Sequence, residues 1–195
     1  MELFGGDRDK LHIKDWLTAN QRFPGLEIEV VDKTLRSDIK TQIDRLAAIN
    51  LGAIFVYMQG HGLNNGNVSY ITGDQFDPKE GYASVKSEEL INMFSEFDHH
   101  TLSVVITDFC YSGNFFRLRY KLEFSEGGNG PEWVETGDWS QVSGTEGSQL
   151  TCLLVHLAGS TRNEQVIETE RTGGYFTDIL FKAGAKRFLE LLADL

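Results

Sequence analysis

The chain predicts an α/β fold, a mostly parallel sheet sandwiched between helices. Three observations point there. Gly52–Met58 (GAIFVYM), Leu102–Thr107 (LSVVIT) and Leu150–Ala158 (LTCLLVHLA) have the near-continuous apolar character of strands buried on both faces. Segments of helical periodicity separate these runs, the alternation expected of a parallel sheet. The length, 195 residues, suits a single domain, residues 1–195, able to bury about 70% of its unfolded surface.

In chain order, Lys10–Gln21 places Leu11, Ile13, Trp16 and Leu17 at helical spacing. Leu26–Val31 (LEIEVV) sets Glu27 and Glu29 on one face and suits a more exposed strand. Ser37–Ile49 is a helix with Ser37 as N-cap, Asp38 in the first turn and Ile39, Ile43, Leu46 and Ala47 inward. Ser87–Phe97 repeats the pattern: Ser87 caps, Glu88 and Glu89 follow, and Leu90, Ile91 and Phe94 form the buried stripe. Val68–Thr72 and Val166–Thr169 read as short strands, and Phe176–Leu195 as a helix broken near Gly184 and then a second. Asn114–Gln149 differs. It is rich in Gly, Ser, Glu and Trp, centres on Gly127-Gly128-Asn129-Gly130-Pro131 and holds no sustained period. Connections beyond ~12–15 residues are uncommon in compact domains, so 114–149 is expected to be a mobile or functional linker loop.

Composition removes several classes of function. No apolar run approaches the ~20 residues of a membrane span. The start, Met1-Glu2-Leu3-Phe4-Gly5-Gly6-Asp7, lacks the basic and apolar regions of a signal peptide. Cys110 and Cys152 fall at or in apolar runs, so a disulfide framework is not expected and a reducing cytoplasm fits. The net charge of −11 opposes nucleic-acid binding, which needs clustered Lys and Arg. Arg117-Leu118-Arg119-Tyr120-Lys121 is the nearest basic patch and is too short to change that. The acidic surface is read chiefly as a solubility device.

Chemistry concentrates in two stretches, Tyr57-Met58-Gln59-Gly60-His61-Gly62 and Ile106-Thr107-Asp108-Phe109-Cys110-Tyr111-Ser112-Gly113. Each closes an apolar run, where ligands of open α/β sheets collect. The separation of His61 and Cys110 is 110 − 61 = 49 residues, His first, close to the ~50 of the caspase type of arrangement. A thiol of ordinary pKa is only a few per cent ionised at neutral pH, so a nucleophilic cysteine needs a base. An imidazole can take the proton and later return it to the leaving amine. Gly62 lets a substrate carbonyl approach, and its N–H with that of Cys110 would form an oxyanion hole. Taken singly, His61 reads as a loop residue bonded to backbone and Cys110 as an inert buried thiol. The pair, flanked by glycines at two strand ends, carries the functional reading. His156 lies inside an apolar run and reads as structural.

These residues resemble the caspase superfamily of cysteine peptidases, and the metacaspase branch most. Metacaspases carry an apolar strand ending in a Tyr-Ser-Gly-His-Gly type motif, matched here by Met58-Gln59-Gly60-His61-Gly62. Their Asp-Ser-Cys-His-Ser-Gly is matched by Asp108-Phe109-Cys110-Tyr111-Ser112-Gly113. Leu3-Phe4-Gly5-Gly6-Asp7-Arg8-Asp9 looks like their Leu-x-Gly-Cys-x-Asn-Asp segment. Ala158-Gly159-Ser160 and Gly174-Tyr175-Phe176-Thr177 extend the likeness over most of the chain. Family members open with an apolar strand before the Leu-x-Gly segment, and this sequence starts after it. The resemblance therefore implies a truncated protein, another element in that place in the sheet, or a compromised fold.

The resemblance implies a caspase-like sandwich, a His61–Cys110 dyad and hydrolysis of peptide bonds, in the setting of programmed cell death. It also implies an S1 pocket for Arg or Lys. Aspartate-directed caspases have Gln two residues before the nucleophile, whereas this chain has Asp108, which would pair a basic side chain. Asp9 would supply a second carboxylate, and Gln59 stands where the usual pocket serine would be. Read without the family, Asp108 is a carboxylate capping backbone at a strand end, and Asp9 a helix N-cap or first-turn acid. Gly6 in place of cysteine and Tyr111 in place of histidine are further departures. Many metacaspases need calcium, held by an acidic loop after the histidine motif. Here that stretch is Asn64-Asn65-Gly66-Asn67, and Arg117 falls where members often place another acid. No cofactor or metal is therefore expected; hard ligands for calcium would have to come from Asp74 and Asp77. In the 114–149 segment, Arg117, Arg119 and Lys121 are the candidate self-cleavage sites, with a solvated surface patch as the plain alternative. Partners would be proteins or peptides with a basic P1 residue, and oligomeric state is left open.

Two rivals belong to other classes. One is a catalytically silent caspase-like module acting in protein interaction or regulation. The other, a flavodoxin-like nucleotide binder, lacks a phosphate-cradling glycine fingerprint after its first strand.

Overall fold

The computed structural model describes residues 6–19, 27–32, 34–124, 130–139, 150–169 and 171–183. It divides into two units, Lys33–Glu164 and Met1–Asp32 with Gln165–Leu195. The larger unit is built on three parallel strands: β1 (Ala53–Gln59), β5 (Leu102–Asp108) and β8 (Leu153–Ala158), in the order β1-β5-β8. The fold is therefore α/β with a parallel central sheet. Strand β5 lies in the middle, and every residue from Ser103 to Asp108 is buried. That is why its sequence is an unbroken apolar run rather than an alternation. The register pairs Ala53 with Leu102 and continues without slip to Gln59 with Asp108. Two segments that each end in candidate chemistry are thereby brought level.

Helix α2 (Arg36–Ala48) and α3 (Ser87–Phe94) cover the sheet through Ile43, Leu90, Ile91 and Phe94, in one cluster with Ile54, Met58, Val105 and Phe109. Their starts differ from expectation. Leu35 and Lys86 precede the helices, and the N3 carboxylates reach back: Asp38 accepts the Leu35 N–H at 3.0 Å and Glu89 the Lys86 N–H at 2.9 Å. Ser37 and Ser87 are thus inside their helices, and the Ser87 hydroxyl donates to the Phe115 carbonyl. Spacing located both helices, but the third-position acid determines where the first turn closes.

Four short elements follow β1 before β5. They are β2 (Gly62–Asn64), β3 (Val68–Ile71) and β4 (Ser84–Lys86), an antiparallel sheet, and then α3. Within the segment expected to lack structure, β6 (Tyr120–Phe124) and β7 (Pro131–Glu135) form an antiparallel hairpin. Residues 125–129 and 140–149 of that segment lie outside the described residues. The hairpin escaped sequence reading because its faces are mixed: Leu122 opposes Trp133 while Glu123 opposes Glu132.

The smaller unit contains α1 (Gly6–Ala19), β9 (Glu168–Thr169), β10 (Gly173–Gly174) and α4 (Tyr175–Ala183). Trp16 of α1 meets Phe181 of α4 edge to face, with ring centroids 5.1 Å apart. Helix α1 begins four residues earlier than periodicity suggested, which puts Asp9 in its first turn. The expected strand at Leu26–Val31 is absent from the described part, 27–31, where Val30 and Val31 are 45% and 39% exposed. Alternation marks the face a strand would bury, not the ladder that makes it a strand. The expected break near Gly184 falls outside the described residues. Among the described residues no helix is long and apolar enough to cross a membrane.

Candidate active site

The β1–β5 register decides where the chemistry meets. Gln59 and Asp108 are paired across the sheet, so His61 and Cys110 each stand two residues past the same rung. The loops that carry them touch. A Cβ placed on Gly62 would lie 1.9 Å from the Cys110 carbonyl oxygen and 2.9 Å from the Phe109 ring. Only a residue without a side chain allows this approach. Both His61 and Cys110 are half-buried, and Cys110 is a free thiol.

His61 is held from below. Its carbonyl accepts the Ile71 N–H at 2.9 Å, which makes the opposed Gly62 and Tyr70 a non-hydrogen-bonded pair of the β2–β3 ladder. The Gly62 N–H therefore points away from β3. Tyr70 lies beneath: its ring would stand 2.7 Å from a Cβ on Gly60, and its hydroxyl donates to the Gln59 carbonyl at 2.9 Å. Burial pushes the Tyr70 phenol up to about 12, so it remains a donor. The buried Nε2 of His61 has no hydrogen-bond partner among the described residues. A buried imidazole nitrogen with no partner calls for a functional explanation.

The Cys110 loop is bent and braced. Tyr111, Asn114 and Arg117 have φ of +65°, +49° and +50°, left-handed values that cost a non-glycine residue on the order of 1–3 kcal/mol. The Tyr111 N–H donates to the Glu164 carbonyl at 2.8 Å. The buried Ser112 donates its N–H to Ser160 Oγ at 3.1 Å, and Ser160 Oγ donates to the Phe109 carbonyl at 3.0 Å. Gly113 lies so close to Thr161 and Arg162 that a Cβ there would come within 2.5 Å of the Arg162 nitrogen. Phe109 is fully buried between Tyr70 and Phe115, with ring centroids 5.2 and 5.4 Å away. Tyr70, Phe109, Ser112 and Ser160 support the two loops; Phe109, Ser112 and Ser160 lay within the quoted motifs, whereas nothing in the sequence marked Tyr70.

The other candidate residues divide between the units. Asp108 is 3% exposed and Gln59 half-buried, paired on the last rung before His61 and Cys110. Asp9 belongs to the smaller unit. It is wholly buried, accepts the Gly174 N–H at 2.7 Å and would meet a Cβ on Gly173 at 2.1 Å. Gly173 has φ of +76°, so both its conformation and its contact with the carboxylate require glycine. His156 bonds Thr107 Oγ1 through Nε2 at 2.8 Å and packs on the Phe116 ring. Desolvation pushes this imidazole down to about 3, leaving it neutral.

The three basic residues that follow Cys110 are not alike. Arg117 departs from the expected exposed patch: it is 8% exposed and its guanidinium bonds Glu88 at 3.1 Å. Arg119 pairs with Glu135 at 2.8 Å and stacks over Trp139, while Lys121 is exposed and pairs with Glu123. Asp74 Oδ2 accepts from Thr72 Oγ1 and the Arg36 N–H, and Asp77 Oδ1 from the Lys79 and Glu80 N–H groups.

No protein-family model matches the chain, and a comparison with curated proteins finds no match.

Proposed function

We propose that the protein is a cysteine endopeptidase of metacaspase type, a caspase-like sandwich that cuts after Arg or Lys. The observation that carries this reading is the meeting of His61 and Cys110 at the ends of two paired parallel strands, with Gly62 against the Cys110 carbonyl. In the proposed reaction His61 takes the Cys110 proton and the sulfur attacks the P1 carbonyl carbon. The tetrahedral oxyanion is met by the Gly62 and Cys110 N–H groups. His61 then protonates the leaving amine and the C–N bond breaks. Water, deprotonated by His61, adds to the thioester carbonyl, the C–S bond breaks, and the acid product leaves as the proton returns to the Cys110 sulfur. Asp108, buried one rung below, supplies the carboxylate for a basic P1 side chain. Gln59, on the same rung as Asp108, is the further S1 candidate. The two free thiols suit a reducing cytoplasm, where protein and peptide substrates would be met.

The test compares wild type, Cys110→Ala and Asp108→Asn on fluorogenic peptides with P1 Arg, Lys or Asp, with calcium or a chelator. Turnover of Arg and Lys peptides is expected in wild type and lost in Cys110→Ala. Asp108→Asn should lower kcat/KM for Arg peptides by roughly tenfold or more, the worth of one charge-assisted pair. A folded wild type that cleaves none of them would overturn the proposal in favour of the silent interaction module.

A further inference from the structure

We propose that Asp138 is a positioning residue that holds the Cys110 loop in its left-handed, attack-ready shape. The inference rests on the reading of Cys110 as nucleophile and assigns a role to a residue outside the dyad and its pocket. The nucleophile loop contains three of the four non-glycine residues with positive φ among the described residues. Such a conformation persists only when surrounding contacts over-determine it. Around Tyr111 and Ser112 those contacts are backbone and serine groups from 160–164. Around Asn114 they come from the segment that leaves the β6–β7 hairpin.

Asn114 is the junction. Its Oδ1 accepts the Leu118 N–H at 2.7 Å, and its Nδ2 donates to Asp138 Oδ2 at 2.9 Å, with longer contacts of 3.4 Å to the Leu118 carbonyl and Thr136 Oγ1. Thr136 binds the same stretch, its N–H to the Arg119 carbonyl and its Oγ1 to the Leu118 carbonyl, both at 2.7 Å. Asp138 Oδ1 accepts from Arg162 Nη1 at 2.6 Å. Arg162 is the residue whose backbone presses on Gly113, and its carbonyl accepts from Asn64 of β2 at 3.4 Å. One carboxylate thus ties the residue four past the nucleophile to the loop that packs on Gly113, and through it to the strand that follows His61. Thr136 is buried and Asp138 only partly exposed, so this is not a solvated surface pair. Loss of the carboxylate removes the shortest bond of Asn114 Nδ2 and the ion pair of Arg162 together. Tyr111 can then relax from +65° and carry Cys110 out of register with His61.

The test measures the Cys110 alkylation rate by iodoacetamide at pH 7, read by mass spectrometry, beside kcat and KM on a P1 Arg peptide. The full chain is used as wild type, Asp138→Ala, Asp138→Asn, Arg162→Gln and the hairpin control Glu135→Ala. Asp138→Ala should lower both alkylation rate and kcat about tenfold or more with KM changed less than threefold, the pattern of misplaced reacting atoms. Asp138→Asn, which keeps an acceptor for Asn114, should recover most of the loss, and Glu135→Ala should resemble wild type. Folded Asp138→Ala with rates within twofold of wild type would overturn the proposal. So would an equal loss in Glu135→Ala, which would mean a general hairpin effect. If Asp138→Ala does not fold, Arg162→Gln decides: a fall of at least threefold supports the clamp and wild-type rates refute it. A wild type without turnover defeats the peptidase reading alone, because the alkylation rates still report the loop.

Discussion

Gly62→Ala is the sharpest perturbation the site offers. The added Cβ would stand 1.9 Å from the Cys110 carbonyl oxygen, where ordinary contact begins at 3.4 Å, so the loops must part by 3.4 − 1.9 = 1.5 Å. The obstacle is backbone in a braced turn, not the tip of a flexible side chain. Overpacking of this kind costs about 1–3 kcal/mol, which for a domain of this length lowers Tm by roughly 2–12 °C. The larger effect falls on chemistry, since a misplacement of ~1 Å costs about 100-fold. The assay is kcat/KM on a P1 Arg peptide, the Cys110 alkylation rate and a thermal melt. Gly52→Ala is the control, because a Cβ there meets nothing within 4 Å. Gly62→Ala with wild-type turnover and wild-type alkylation would refute the contact between the two loops and the dyad built on it.

Two further predictions follow. His156 is neutral in the fold but protonates near ~6.5 when unfolded, so its contribution to stability is complete above that pH and lost as pH falls toward about 3. Between pH 7 and 4 the wild type should lose about 2 kcal/mol more than His156→Gln in urea unfolding, a value reduced for partial exposure of the residue; parallel losses would show that the imidazole is not desolvated. If the protein cuts itself, N-terminal sequencing should find new ends at Tyr120 or Leu122, after Arg119 or Lys121, rather than at Leu118, because Arg117 is buried on Glu88. Identical fragments in Cys110→Ala would rule out self-cleavage.

Much of the larger unit was legible because burial leaves a simple trace. A strand enclosed on both faces must be apolar throughout, as β5 is. Strands β1 and β8, which were expected to be equally buried, are mostly half-buried because each flanks β5 on one side only, yet their apolar runs still located them within a few residues. Helix α3 was equally plain from Leu90, Ile91 and Phe94. The hairpin β6–β7 and the strand β4 were hidden because three to five residues of mixed character carry no period. Within the site, glycine and histidine next to a strand end mark a place for chemistry. Tyr70 and Asp138 carry no such mark, since their importance lies in what they touch.

By itself the sequence determined an α/β architecture and two strand-end motifs of the right residue types. Local composition decides burial, and burial decides those features. Only the tertiary structure decided that the motifs share a rung, that Gly62 presses on the Cys110 carbonyl, and that Asp138 bonds both Asn114 and Arg162. It likewise decided that Asp9 serves the backbone of Gly174. Each of these is a pairing between residues far apart in the chain, set by strand register and loop packing, which one-dimensional spacing does not encode.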